Sequence, residues 1–358
     1  MSSTYGNRPE RLGETATVVR PDATAGRGEE RPGEASTYYS MPLIKKATWS
    51  WEIMLYFFLG GLAGGSFLVS TLADLLGSVE DAALIRAGRF IALICMIISP
   101  ILLIKDLGRP ERFHHMFRVL KLRSAMSLGT WAITVFGICC GLTTAHQLAK
   151  DGLLNWFPLL ARFMKAFPVK VLEVIGSVFG LVVASYTGVL LSATAVPVWA
   201  RARHILGPLF LSSGLSTALA SLSLLLSLGR SKQDTLERLD SAEIITVATE
   251  LGLISTLPRV LGPLAKPLFK GRVGVLFMAG IMGSGLLVPL FTRLGWKLTR
   301  KPMPRALNIV VSLMVLVGGI LLRYTWIVAG RGSADDPQAT HYYNAVSRAA
   351  KHLKSEAE

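Results

Sequence analysis

The sequence predicts an all-α integral membrane protein with eight transmembrane helices. Three observations carry this. Apolar residues make up 51% of the 358 residues, and the mean hydropathy is +0.47. Charged residues make up 17%, below the ~25% usual in soluble domains. The apolar residues also gather into eight runs, each near the ~20 residues that a helix needs to cross the hydrocarbon layer. A helix satisfies its own backbone hydrogen bonds there, which is why such runs read as helices.

The elements follow in order. Residues 1–47 are rich in Gly, Pro, Ser, Thr and charge; without an apolar run they are expected to form a disordered tail rather than a cleaved signal peptide. The first span, near 50–73, contains Gly60-Gly61-Leu62-Ala63-Gly64-Gly65. Small residues of this kind let helices approach closely in lipid. No strand precedes them and no Lys-Ser/Thr follows, so they are not a phosphate loop. The second and third spans lie near 84–104 and 127–147. The fourth, near 170–196, stops at Pro197, and the fifth lies near 204–229. The sixth, near 241–261, is the least apolar because Glu243 and Glu250 interrupt it. The seventh, near 272–292, and the eighth, near 306–329, carry the small residues Gly280, Gly285, Gly318 and Gly319. Residues 331–358 are polar again and form either a short amphipathic helix or a tail.

Eight spans put both termini on one membrane side, side A, together with the loop 105–126. Lys and Arg flank both sides almost equally, so the positive-inside rule does not orient the chain. If loop 105–123 is basic for functional reasons, side B becomes the cytoplasmic one. Arg89 and Arg293 count here as ordinary side-B flanking charges, and Glu173 as an interfacial residue. The net charge of +15 would suggest nucleic acid in a soluble protein. Here the basic residues lie between apolar runs, where they meet anionic membrane lipid, and no nucleic-acid module is present.

The residues that could do chemistry are the polar ones in apolar surroundings, since charge inside a bilayer is costly and marks function by default. Glu52 and Tyr56 share one helix face at i and i+4. Tyr56 lies roughly 10 Å inside the side-A boundary, and Tyr186 roughly 15 Å inside it. Asp106 ends the second span on the same side, within Lys105-Asp106-Leu107-Gly108-Arg109-Pro110-Glu111-Arg112-Phe113. These groups from three helices converge on a pocket opening to side A. Carboxylates and phenols of this kind hydrogen-bond a quinone's two carbonyl oxygens and move the protons that accompany its two electrons. Each has a plainer alternative. Glu52 snorkels to the headgroups, Tyr56 joins the interfacial aromatics as Trp49 and Trp51 do, and Asp106 caps its helix or pairs with Arg109 or Arg112. Tyr186 is too deep for the aromatic belt. Glu250, near the midplane, and Arg323, about 10 Å inside the eighth span, form a second set, read either as a structural pair or as a proton path.

The histidines inside or touching spans, His146 and His204, sit at opposite membrane ends and cannot bracket one haem iron. Cys95, Cys139 and Cys140 read as small buried side chains rather than as an iron–sulfur site. A haem-free membrane subunit of an oxidoreductase must pass electrons directly between a neighbouring redox centre and a lipid-soluble carrier.

From about 48 to 330 the chain resembles the NrfD/PsrC family of quinone-interacting membrane subunits. The resemblance rests on Trp51-Glu52, on Tyr56-Phe57-Phe58-Leu59 leading into the glycine run, and on 106–113. It continues through Arg123-Ser124-Ala125-Met126-Ser127, Tyr186-Thr187-Gly188, Pro197-Val198-Trp199 and Arg323-Tyr324. It implies two four-helix bundles, 48–200 with the quinone pocket and 201–330. It implies menaquinone or ubiquinone as exchangeable substrate, with no haem and no iron–sulfur cluster in this protein. Its implied partners are a four-cluster ferredoxin-like iron–sulfur subunit and a molybdopterin catalytic subunit, in a formate-dehydrogenase-type complex of a bacterial inner membrane. By motif, Tyr186 is the foremost quinone contact, with Tyr56, Glu52, Asp106 and Arg109 around it. Some relatives have His where Tyr56 stands. A secondary transporter using Glu250 is the alternative; it would place binding groups at the midplane in both halves.

Overall fold

The structure is a computed structural model that describes residues 44, 49–77, 81–121, 123–166, 168–229 and 231–355. The expected tail, 1–47, lies outside the described residues except for residue 44. Eight helices among the described residues are long and apolar enough to cross a membrane. They begin with α1 (Trp51–Leu76), α2 (Ala82–Lys105) and α3 (Ala125–Lys150). A short α4 (Pro158–Ala166) precedes the fourth span, α5 (Val169–Ser192). The turn helix α6 (Pro197–Arg201) leads into α7 (Arg203–Leu228) and α8 (Gln233–Leu261). After α9 (Lys266–Phe269), the seventh span is composite: α10 (Gly271–Val275), a π-helical stretch (Leu276–Leu287) and α11 (Val288–Leu298). The eighth span is α12 (Arg305–Asp335), followed by α13 (Pro337–Ser355).

Three boundaries differ from the sequence reading for identifiable reasons. The fourth span stops at Ser192, because Pro197 holds Val196 in an extended conformation and a turn fills the gap. The sixth runs unbroken through Glu243 and Glu250 and starts at Gln233. Its carboxylates are spent on partners inside the protein, so they do not interrupt the helix. The eighth continues past Gly330 to Asp335.

Association in lipid depends on packing rather than on hydrophobic expulsion, and small residues set how closely backbones meet. α1 packs on α2, α5 and α7, while α7 packs on α8 and α12. A Cβ on Gly64 would stand 2.2 Å from the Gly180 carbonyl oxygen, so only glycine lets α1 and α5 touch there. Gly285 in the π-helical stretch meets Gly318 of α12 in the same way.

Each half of the protein buries one arginine near side B. Arg89 on α2 donates to Gln147 on α3 (2.6 Å) and to Asp74 on α1 (3.3 Å), and it pairs with Glu173 on α5. Arg293 pairs with Asp240 and with Glu243 on α8 (2.9 Å) and donates to Asn308 (3.0 Å) and Ser312 (3.1 Å) on α12. Asn308 extends the network to Ser223 and Ser227 on α7. Arg89, Glu173 and Arg293 are therefore interior residues, not the flanking or interfacial charges the sequence suggests. Their partners come from different helices, and no single apolar run reveals them.

Candidate functional site at the side-A end of the first four spans

The side-A ends of α1, α2, α3 and α5 enclose a cavity of about 210 Å³. Its wall includes Tyr56, Asp106 and Tyr186, three of the four polar groups that the sequence expects to converge there; the fourth, Glu52, is not part of it.

Tyr56 is 1% exposed. The residue lines the cavity, and its buried hydroxyl has no hydrogen-bond partner among the described residues. Burying a hydroxyl without a partner costs ~1–3 kcal/mol. Asp106 occupies the C-cap of α2, and Ser50 Oγ donates to its Oδ1 across 2.6 Å. The carboxylate is thus held by the residue preceding α1, not by Arg109 or Arg112. Tyr186 donates to the carbonyl of Ala125, the first residue of α3, at 2.8 Å. Its ring packs close against the α3 backbone because position 129 is glycine; a Cβ there would fall 2.2 Å from the ring. Ile53, Leu103, Ile133 and Leu190 supply apolar wall, while Thr130 offers a hydroxyl.

Glu52 and Arg109 stand apart from this wall. Glu52 turns to Lys105 on α2, with 3.2 Å between Oε1 and Nζ, and the same ammonium lies 5.0 Å from the Trp51 ring centroid. Arg109 is exposed, at the entry of a 3-10 turn (Pro110–Phe117) whose Met116 reaches the cavity.

By position Trp49 fits the interfacial aromatics, but it turns inward. Its ring stacks on Trp199 with centroids 5.2 Å apart and meets Phe57 edge-on. Trp199 is fully buried and donates to the Trp326 carbonyl at 2.8 Å. Gly330 makes room for that indole, since a Cβ would fall 2.0 Å from it. The Pro197-Val198-Trp199 motif therefore fixes one side of the site through Trp49. Trp51, in contrast, is 57% exposed.

The second polar set comes close to the first. Arg323 is wholly buried, donates to Gly319 O (2.9 Å) and to Ser213 Oγ, and lies over the Phe210 ring. Its guanidinium would stand 3.3 Å from a Cβ on Gly61 of α1, little more than a turn from Tyr56. Glu250 accepts a 2.9 Å hydrogen bond from Ser216, and Ser213 stands between it and Arg323. Sequence depth sets these groups apart; Ser213 joins them. Signals missed at the sequence level are Ser50, Gly129 and Ser213, all small residue types common in any membrane helix.

Among the described residues no group of three or more His, Cys, Asp or Glu side chains could hold a metal ion. The three cysteines are free and buried.

Comparison with known proteins places this sequence among membrane proteins of one family. The profile of the family described as "Polysulphide reductase, NrfD" matches residues 43–332. A "Protein NrfD homolog" of Haemophilus influenzae is 28% identical over 305 residues, covering 79% of this protein and 94% of the relative. One of the polysulfide reductase chains of Wolinella succinogenes is 27% identical over 318 residues, covering 82% and 97%. One of the selenate reductase subunits of Mesobacillus selenatarsenatis is 29% identical over 104 residues, covering 29% and 24%.

Proposed function

The protein belongs to the polysulphide reductase NrfD family, and from that premise we propose that it is the quinone-reacting membrane subunit of a multisubunit respiratory reductase. The observation that carries this reading is that Tyr56, whose buried hydroxyl has no partner among the described residues, lines one cavity with a carboxylate and a second phenol from other helices. The quinone ring enters between the apolar walls. Tyr56 donates to one carbonyl oxygen. Asp106, held by Ser50, accepts or returns the proton that accompanies electron transfer. Tyr186 positions the α3 wall and lies beside the same ring. Glu52, Lys105 and Arg109 shape the polar rim at side A.

The electrons come from or go to a neighbouring four-cluster ferredoxin-like iron–sulfur subunit docked at side A, beyond which lies a molybdopterin catalytic subunit. The relatives named as parts of polysulfide and selenate reductases support a multisubunit composition. Menaquinone or ubiquinone is the exchangeable substrate, in a bacterial inner membrane. Arg323, Ser213, Glu250 and Ser216 continue from the site into the second half as a hydrogen-bonded proton path.

The test uses the intact complex. Tyr56→Phe lowers quinone-linked turnover on the order of 10²-fold, the low end for loss of a positioned proton donor. Dye-linked activity of the partner subunits stays at the wild-type rate. Unchanged quinone-linked turnover would overturn the assignment of Tyr56.

A further inference from the structure

A second cavity, of about 300 Å³, lies at the side-B end of the second half, between α8, α11 and the connection to α12. Lys297, Arg300 and Lys301 bring three cations to it, and Trp296 adds an indole. The turn bearing Arg300 and Lys301 is held in shape. Trp296 Nε1 donates to the Pro302 carbonyl at 3.0 Å, and the Thr299 hydroxyl donates to the Trp296 carbonyl at 2.6 Å. Arg300 itself adopts φ 54°, the one non-glycine residue with positive φ among the described residues. Side chains rarely adopt that conformation.

The charges are unbalanced. Arg293, at the base, is spent on Asp240 and Glu243. Lys297 donates to Ser241 at 2.9 Å. Arg300 and Lys301 are exposed and have no acidic partner among the described residues. Of the acidic residues on the wall, Asp240 is already taken, which leaves Glu237. Next in sequence to the wall residues Ile244 and Lys297 stand Ile245 (68% exposed) and Leu298 (78% exposed), apolar side chains facing outward from membrane helices.

We propose that this cavity binds the phosphodiester headgroup of an anionic phospholipid. The phosphate sits against Lys297, Arg300 and Lys301, Trp296 lies at the headgroup level, and the acyl chains run along the outward faces of α8 and α11. Cations near helix ends attract anionic lipid, and an indole suits the interface. Inorganic phosphate would satisfy the same cations but would leave the adjoining apolar faces uncovered.

The purified full-length protein in mild detergent is titrated with phosphatidylglycerol or phosphatidylcholine of equal acyl length, and bound lipid is read by native mass spectrometry. Phosphatidylglycerol binds more tightly. Removing both cations in R300Q/K301Q weakens it about 25-fold, at about fivefold per cation, and leaves phosphatidylcholine unchanged. K297Q alone weakens it about fivefold and gives a second reading that does not touch the turn. E237Q strengthens it. Equal affinity for the two lipids, or unchanged phosphatidylglycerol affinity in both cation variants, would overturn the proposal. Full displacement of the lipid by millimolar inorganic phosphate would also overturn it, by assigning the cations to a soluble anion.

Discussion

The Ser50 hydroxyl donates to the Asp106 carboxylate across 2.6 Å, joining the residue before the first span to the residue that closes the second. This contact fixes a carboxylate on a cavity that Tyr56, whose buried hydroxyl has no partner among the described residues, also lines. Ser50→Ala removes the donor and leaves the carboxylate free to turn toward solvent. Quinone-linked turnover is expected to fall about tenfold, with a stability loss of about 1 kcal/mol for one hydrogen bond. Steady-state turnover and the thermal midpoint of the purified complex check both.

Tyr186→Phe deletes the 2.8 Å hydrogen bond to Ala125 but keeps the ring against Gly129. The fold is expected to persist, with a loss of about 1 kcal/mol. Quinone-linked turnover falls while dye-linked activity of the partner subunits is retained. Equal loss of both activities would point to failed assembly instead.

Gly129→Ala places a methyl group 2.2 Å from the Tyr186 ring, which must move. Overpacking of this kind costs ~1–3 kcal/mol. The displaced ring enters the cavity, so the KM for quinone rises. A double variant with Tyr186→Ala relieves the clash, and recovery of thermal stability in that background checks the cause.

Arg89→Gln leaves Glu173 buried without its cation on the neighbouring helix. Breaking a buried pair from one side costs ~3–5 kcal/mol. Arg293→Gln does the same to Glu243 in the second half. Detergent-induced unfolding of the purified protein should show both losses. The double variant Arg89→Gln with Glu173→Gln should recover part of the first.

The eight spans are legible in the sequence because bilayer thickness imposes a length on apolar runs, and each run meets it. The sixth is the hardest to bound, since Glu243 weakens its hydropathy while the cation that neutralises it, Arg293, lies fifty residues away. Tyr56, Asp106 and Tyr186 are legible because a polar group in an apolar run has few structural uses. Their supports are not. Ser50 and Gly129 belong to types that occur throughout membrane helices, and only the packing of α1, α2, α3 and α5 gives them a role. Trp49 illustrates the limit: an aromatic at a span boundary fits the interfacial belt, and only the position of Trp199, brought back by the fifth and eighth spans, turns it inward.

The most direct measurement is photolabelling of the intact complex with an azidoquinone, followed by mass-spectrometric mapping. Label is expected on peptides carrying Ile53 and Tyr56, Met126 to Ile133, and Tyr186 to Leu190, suppressed by excess unlabelled quinone. Suppressible label confined to the second half of the protein, with none on these three segments, would contradict it.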